Sequence, residues 1–130
     1  MVEVQLRAAH WTREARDAFE RVERWNTRAR PIAEQLEGCR LVEVLASERV
    51  VGRVALDRVD DVGCVVAAVG SMPGHRLVAV LPAIETMFGD VRAVEIETKR
   101  RGMVRALALQ GYELAGFVMR KGIEHGRQVQ

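Results

Sequence analysis

The spacing of apolar residues changes once along this chain, and that change limits what it can fold into. Trp11, Ala15, Ala18, Val22, Trp25, Ala29, Ile32 and Leu36 recur at three- and four-residue intervals, which places them on one face of a helix. From Arg40 the period falls to two. The runs "RLVEVLAS", "ERVVGRVALD" and "GCVVAAVG" are rich in β-branched residues and separated by "SER" and "DRVDDVG", the pattern of an antiparallel meander. Gly52, inside the second run, marks a candidate bulge.

The helical stretch has its own punctuation. Thr12 is a suitable N-cap and Gly38 a suitable stop. Pro31 lacks an N–H and would clash with the carbonyl four residues earlier, so a break between Asn26 and Arg30 and two helices are expected. Val2, Val4 and Leu6 alternate before them as a strand would.

The segment "SMPGHRLVAVLPAIETMFGD" admits two readings. Leu77, Leu81, Ile84 and Phe88 have helical spacing between Gly74 and Gly89, but Pro82 would fall in the third turn, at a cost of roughly 3 kcal/mol unless the helix kinks. Alternatively "RLVAVL" is a strand and Pro82 opens a shorter helix. The long helix is preferred. Beyond it, "AVEIET" reads as a strand, Arg101 to Gln110 as a helix ended by Gly111, and "YELAGFVMR" as a closing strand.

Composition narrows the function classes. The chain has 130 residues, 48% of them hydrophobic, enough for one domain over 1–130 with a core of its own, residues 123–130 forming a loose tail. Twenty Lys and Arg oppose 18 Asp and Glu, a net charge of +2, so any nucleic-acid partner must be held by a local cluster. Cys39 and Cys64 lack CxxC spacing, and "MVEVQ" is no signal segment, so a cytoplasmic protein is expected. No apolar run approaches the ~20 residues of a bilayer span. His10 and His125 have no neighbours at metal-ligand spacing, so no metal site is expected.

The order strand, two helices, three-strand meander, helix, strand, helix, strand resembles that of the GCN5-related N-acetyltransferase (GNAT) superfamily. "LQGYELAGFVMRK" is similar to the family's closing helix, Gly-Phe-Glu and strand, with Gly111, Tyr112 and Glu113 at those positions, and "SERVVGRVAL" resembles its hairpin ending in Val-Gly. The resemblance implies a mixed α/β sheet with a splayed pair of parallel strands, here Cys64 to Gly70 and Ala93 to Thr98, that admits acetyl-coenzyme A. It implies a pyrophosphate loop in "SMPGHRL", so that Val69, Gly70, Ser71, Gly74, His75, Arg76 and Arg100 become the candidate cofactor-binding residues. Of the family's loop motif only Gly74 matches. Ser71 stands for Gln or Arg, and Arg76 for Gly or Ala. The family's thiolate-protonating Tyr falls on Leu107, which cannot donate a proton.

Acyl transfer to an amine needs a base for the ammonium proton. Glu95 and Glu97 share a face of "VEIET", and Glu97 lies at the C-terminal end, where open sheets place ligands, which makes it the candidate base. His75 is the second candidate, since its pKa class suits proton transfer. Each has a plainer alternative. The glutamates could simply face solvent or pair with Lys99, Arg100 and Arg101, and His75 could cap the helix. Tyr112 and Cys64 read as packing residues. Lys99, Arg100, Arg101 and Arg105 cluster at a helix start, where the dipole prefers acids, which suggests a phosphate, a nucleic-acid backbone or an acidic protein as partner.

Two functions stay open. One is an acetyl-CoA-dependent N-acyltransferase acting on a small-molecule or peptide amine. The other is a catalytically degenerate binding or assembly module of the same fold, of the kind a phage or mobile element encodes. A homodimer through the closing strand is compatible with both.

Overall fold

The computed structural model describes residues 4–70, 74–116 and 118–122, with the side chains of 74–77 left aside. Strand β1 (Val4–Ala9) leads into helix α1 (Arg13–Glu20), a 3₁₀ turn at Glu23–Trp25 and the short helix α2 (Ile32–Gln35). Thr12 caps α1 through its Oγ1, which accepts from the Ala15 N–H at 3.1 Å. Pro31 precedes α2, so the break falls where the missing N–H requires it. The meander follows as β2 (Arg40–Ala46), β3 (Arg49–Val59) and β4 (Val62–Gly70), then α3 (Gly74–Met87), β5 (Ala93–Ile96) and α4 (Arg101–Ala108).

The five strands form one sheet in sequence order. Neighbours are antiparallel except β4 and β5, which are parallel with α3 as their crossover. Helices cover both faces, which is why the strand runs are so uniformly apolar. Val42, Val44, Val54 and Leu56 pack under α3 and α4 with Leu81, Ile84 and Leu107. Leu41 and Ala55, one residue out of phase, pack under α1 and α2 with Ala15, Phe19, Ile32 and Leu36.

Two irregularities shape the sheet. Val44 pairs Gly52 while Leu45 pairs Val50, so Val51 is the extra residue and the bulge lies beside Gly52. Ala55 pairs Ala67 while Leu56 pairs Val65, which leaves Val66 unopposed on β4. Gly70 sits opposite Gly52 at the end of the β3–β4 ladder, and a Cβ there would lie 2.4 Å from the Val51 carbonyl oxygen.

Helix α3 is the long one, with Pro82 inside it on the exposed side. Strand β5 stops at Ile96, so the expected "AVEIET" strand is two residues shorter. The expected closing strand is a larger correction. Among the described residues nothing after α4 is a strand: 112–116 and 118–122 are irregular. A strand is made by its neighbour, and β5 offers an edge of only four residues, while the segment holds one β-branched residue, Val118, and a Gly in its middle. Leu114, Val118 and Met119 are left 71%, 77% and 95% exposed.

Candidate functional site

Strands β4 and β5 pair over four positions only, from Val62 opposite Ala93 to Val65 opposite Ile96. The bulge residue Val66 comes next. Bulges sharpen local twist, and from here β4 follows β3 to Gly70 while β5 ends. The parting leaves a cleft of about 190 Å³ between Val65–Gly70 on one side and Ile96–Arg100 on the other. Along it, β4 from Val66 to Gly70 has no strand partner on the β5 side among the described residues. Backbone groups on such an edge take a partner from elsewhere, either water or a ligand lying along the strand.

The two ends of the cleft differ in chemistry. Toward α3 and α4 it is lined by Leu81, Met103 and Leu107. Toward α1 and α2 it is lined by Val22, Trp25, Asn26, Thr27, Ile32 and Arg53. The second wall is a folded loop. Asn26 Oδ1 accepts from the Arg28 N–H at 3.0 Å and from Gln35 Nε2 at 2.9 Å, and both Asn26 Nδ2 and Gln35 Nε2 donate to the Arg30 carbonyl. Glu23 receives the Ile32 N–H at 3.1 Å, which supplies α2 with the cap that Pro31 cannot. Arg100 lies over the Trp25 ring at 4.2 Å, with Arg24 at 5.1 Å from the same ring.

Glu97 stands on the cleft wall just past β5. Thr27 Oγ1 donates to its Oε2 at 2.8 Å, and Arg28 Nε approaches its Oε1 at 3.8 Å. Arg120 donates to the Thr27 carbonyl at 2.6 Å, so the C-terminal segment holds the same loop. Arg53 was not singled out from the sequence, yet it lines the cleft with its side chain 18% exposed. Its Nη2 is 3.7 Å from Glu14 Oε1, and its Nε is buried with no hydrogen-bond partner among the described residues. A buried donor left unpaired costs about 1–3 kcal/mol. No spacing in the sequence singles it out, because β3 also carries Arg49 and Arg58, and what sets Arg53 apart is its place in the middle of a strand whose two faces are both covered.

Solved structures with the same layout run across nearly the whole chain. A Bacillus subtilis acetyltransferase in complex with CoA matches with a TM-score of 0.63 at 10% identity, covering 97% of this chain and 92% of the other. An aminoglycoside acetyltransferase from an uncultured soil metagenomic sample, in complex with sisomicin, matches at 0.58 and 10% identity over 93% and 97%. A ribosomal-protein-alanine N-acetyltransferase from Brucella melitensis biovar Abortus matches at 0.53 and 16% identity over 92% and 100%. The chain has the GNAT fold. No family model matches the sequence, and no curated protein does.

Within this GNAT fold the expected residues fall as follows. Glu97, Val69, Gly70 and Arg100 line one cleft. Gly74 begins α3, with His75 and Arg76 in its first turn, while Ser71 lies outside the described residues. Leu107 lines the cleft and is buried. Tyr112 packs against the α3–α4 core, and its hydroxyl donates to Glu85 Oε2 at 2.5 Å. Burial, then the bond to Glu85, pushes its phenol well above the ordinary value. Tyr112 does not line the cleft. Both cysteines are buried. Desolvation raises Cys64, and desolvation followed by the Asp57 charge raises Cys39 to about 11. Among the described residues no cluster of three His, Cys, Asp or Glu could hold a metal, and no helix is long and apolar enough to cross a membrane.

Proposed function

We propose that this protein is an N-acyltransferase that transfers an acetyl group from acetyl-CoA to an amine. The observation that carries the reading is the parting of β4 and β5 at Val66, which puts an unpaired strand edge along a cleft with an acid at its rim. The cleft fits a pantetheine arm, because the β4 edge supplies amides and carbonyls and the Leu81, Met103 and Leu107 side is apolar. Val69, Gly70 and Arg100 would hold the cofactor, with Gly74, His75 and Arg76 at the start of α3, where helix N–H groups favour phosphate. Acetyl-CoA, when bound, supplies a thioester carbonyl and a leaving thiolate, which Leu107 cannot protonate, so the thiolate's proton would come from solvent in the cleft.

Glu97 is assigned as the base that accepts the ammonium proton. Thr27 and Arg28 orient its carboxylate, and His75 is the second candidate for that transfer. Calorimetric titration with acetyl-CoA tests the reading first. Micromolar binding, followed by release of free thiol on addition of an amine, is the expected result. No heat at millimolar ligand from folded protein would overturn it.

A second reading, an assembly module without chemistry, is favoured by one observation. Leu114, Val118 and Met119 lie exposed on a segment whose sequence alternates like a strand. A protein that ignores acetyl-CoA, self-associates in light scattering and becomes monomeric as Val118→Asp would select it. The cluster of Lys99, Arg100, Arg101 and Arg105 leaves a nucleic-acid or acidic protein partner as an outcome of the same assays with added ligand.

A further inference from the structure

Arg53 is a cation in the cleft that the reaction outlined above does not use. It stands on β3 opposite Val69, two residues from Ala55, and therefore on the α1–α2 face of the sheet. Helix α3 packs on the opposite face of the sheet, so a guanidinium here is placed for the α1–α2 side of the cleft, where an acceptor would enter, rather than for the pyrophosphate. Its one ionic neighbour among the described residues is Glu14, whose side chain is 82% exposed and whose oxygen, at 3.7 Å from Nη2, lies outside hydrogen-bond reach. Its Nε has no partner at all among the described residues.

An arginine in this state is poorly explained as a structural residue. A strand interior accepts an apolar side chain more cheaply than a desolvated, half-paired cation. The unsatisfied Nε–H belongs to a group of definite shape. Nε–H and one terminal N–H form a planar fork that matches the two oxygens of a carboxylate. Releasing the long contact to Glu14 frees the guanidinium to turn that fork into the cleft. The charged groups lining the cleft are Arg53, Lys99, Arg100 and Glu97, so cations outnumber the single acid at its rim.

We propose that the acceptor is an amino compound carrying a carboxylate, and that Arg53 grips this carboxylate while the amine is presented to Glu97. The inference rests on the acyltransferase reading. Its test uses the full chain, acetyl-CoA and a thiol-release assay with two matched pools. One holds free amino acids from glycine through ε-aminocaproate together with dipeptides, and the other holds the same compounds with the carboxyl amidated. The acid pool is expected to be used more efficiently by about 10- to 100-fold in kcat/KM, the worth of charge-assisted hydrogen bonds.

In Arg53→Met that preference collapses toward unity, while calorimetric affinity for acetyl-CoA stays within about twofold. Arg53→Lys, which keeps the charge and loses the fork, falls between. Glu14→Gln removes the competing carboxylate and raises the preference, a readout that does not depend on how Arg53→Met folds. Equal use of the two pools, use of neither by protein that binds acetyl-CoA, or loss of acetyl-CoA affinity in Arg53→Met with the preference intact would each overturn the assignment. Failure of wild-type protein to bind acetyl-CoA would instead remove the transferase reading, and this inference with it.

Discussion

Glu97 is held by one hydrogen bond from Thr27 and a longer ion pair to Arg28 before any substrate arrives, and both come from the loop that walls the α1–α2 side of the cleft. A base that also anchors a loop should show two effects when altered. Glu97→Gln keeps an oxygen for Thr27 but cannot take up a proton, so kcat should fall by roughly 10²–10⁴-fold with acetyl-CoA affinity retained. Stopped assays beside calorimetry check this. Thr27→Val removes the orienting hydroxyl and leaves the carboxylate, so a smaller fall is expected, with the loop's other bonds intact. Tyr112 yields a different prediction. Its phenol is raised above the unfolded value of 10.0 by burial and by Glu85. The folded state therefore keeps a proton that the unfolded state releases, and the stabilisation is full below pH 10 and lost as pH rises through the folded value. Urea titrations should show stability declining above pH 10, with a shallower decline in Tyr112→Phe, and that variant should be about 1 kcal/mol less stable at neutral pH for the lost hydrogen bond.

At the scale of elements, the β2–β3 hairpin turns on Ser47 and Glu48, which both have positive φ, at 51° and 67°. That is the geometry of a tight two-residue turn in which Asn-Gly is the favoured pair, because most side chains are strained there. Ser47→Asn with Glu48→Gly should raise stability by roughly 1–2 kcal/mol, seen as a higher denaturant midpoint at an unchanged slope. Gly70 is the opposite case. An added methyl would meet the Val51 carbonyl and the Gly52 Cα, so Gly70→Ala should cost about 1–3 kcal/mol and displace the β4 edge that the cofactor is proposed to use. Elements were legible wherever local chemistry decided them. The Thr12 cap, the break at Pro31 and the period-two runs all act within a few residues. The end of β5 and the irregular path after Gly111 were not legible, because strand content depends on a neighbour that alternation does not specify. Arg53 was hidden for a related reason. Its significance lies in what fails to reach its Nε from α1, which no spacing along β3 records.

At the scale of the molecule, the sheet is a ladder that comes apart in one place, and the cleft is the consequence. The order of elements could be read from the sequence because each period change marks a boundary, whereas the parting depends on one unopposed residue, Val66, inside a run of five similar ones. A ligand that completes this edge binds only the folded chain, so it must stabilise the fold, by about 2.7 kcal/mol at one hundred times its dissociation constant. For a chain of this length that is roughly 8–16 °C in melting temperature. Charge alone would produce part of such a shift, since Lys99, Arg100, Arg101 and Arg105 attract any polyphosphate. The comparison that separates the two causes is acetyl-CoA against adenosine 3′,5′-bisphosphate at equal concentration and at low and raised salt. If the β4 edge takes the pantetheine arm, the acetyl-CoA shift is larger and its excess persists in salt, because hydrogen bonds and apolar contacts inside the cleft are screened far less than exposed charges. Equal shifts that vanish together in salt would leave only the basic cluster binding, and the cleft would lose its claim to the cofactor.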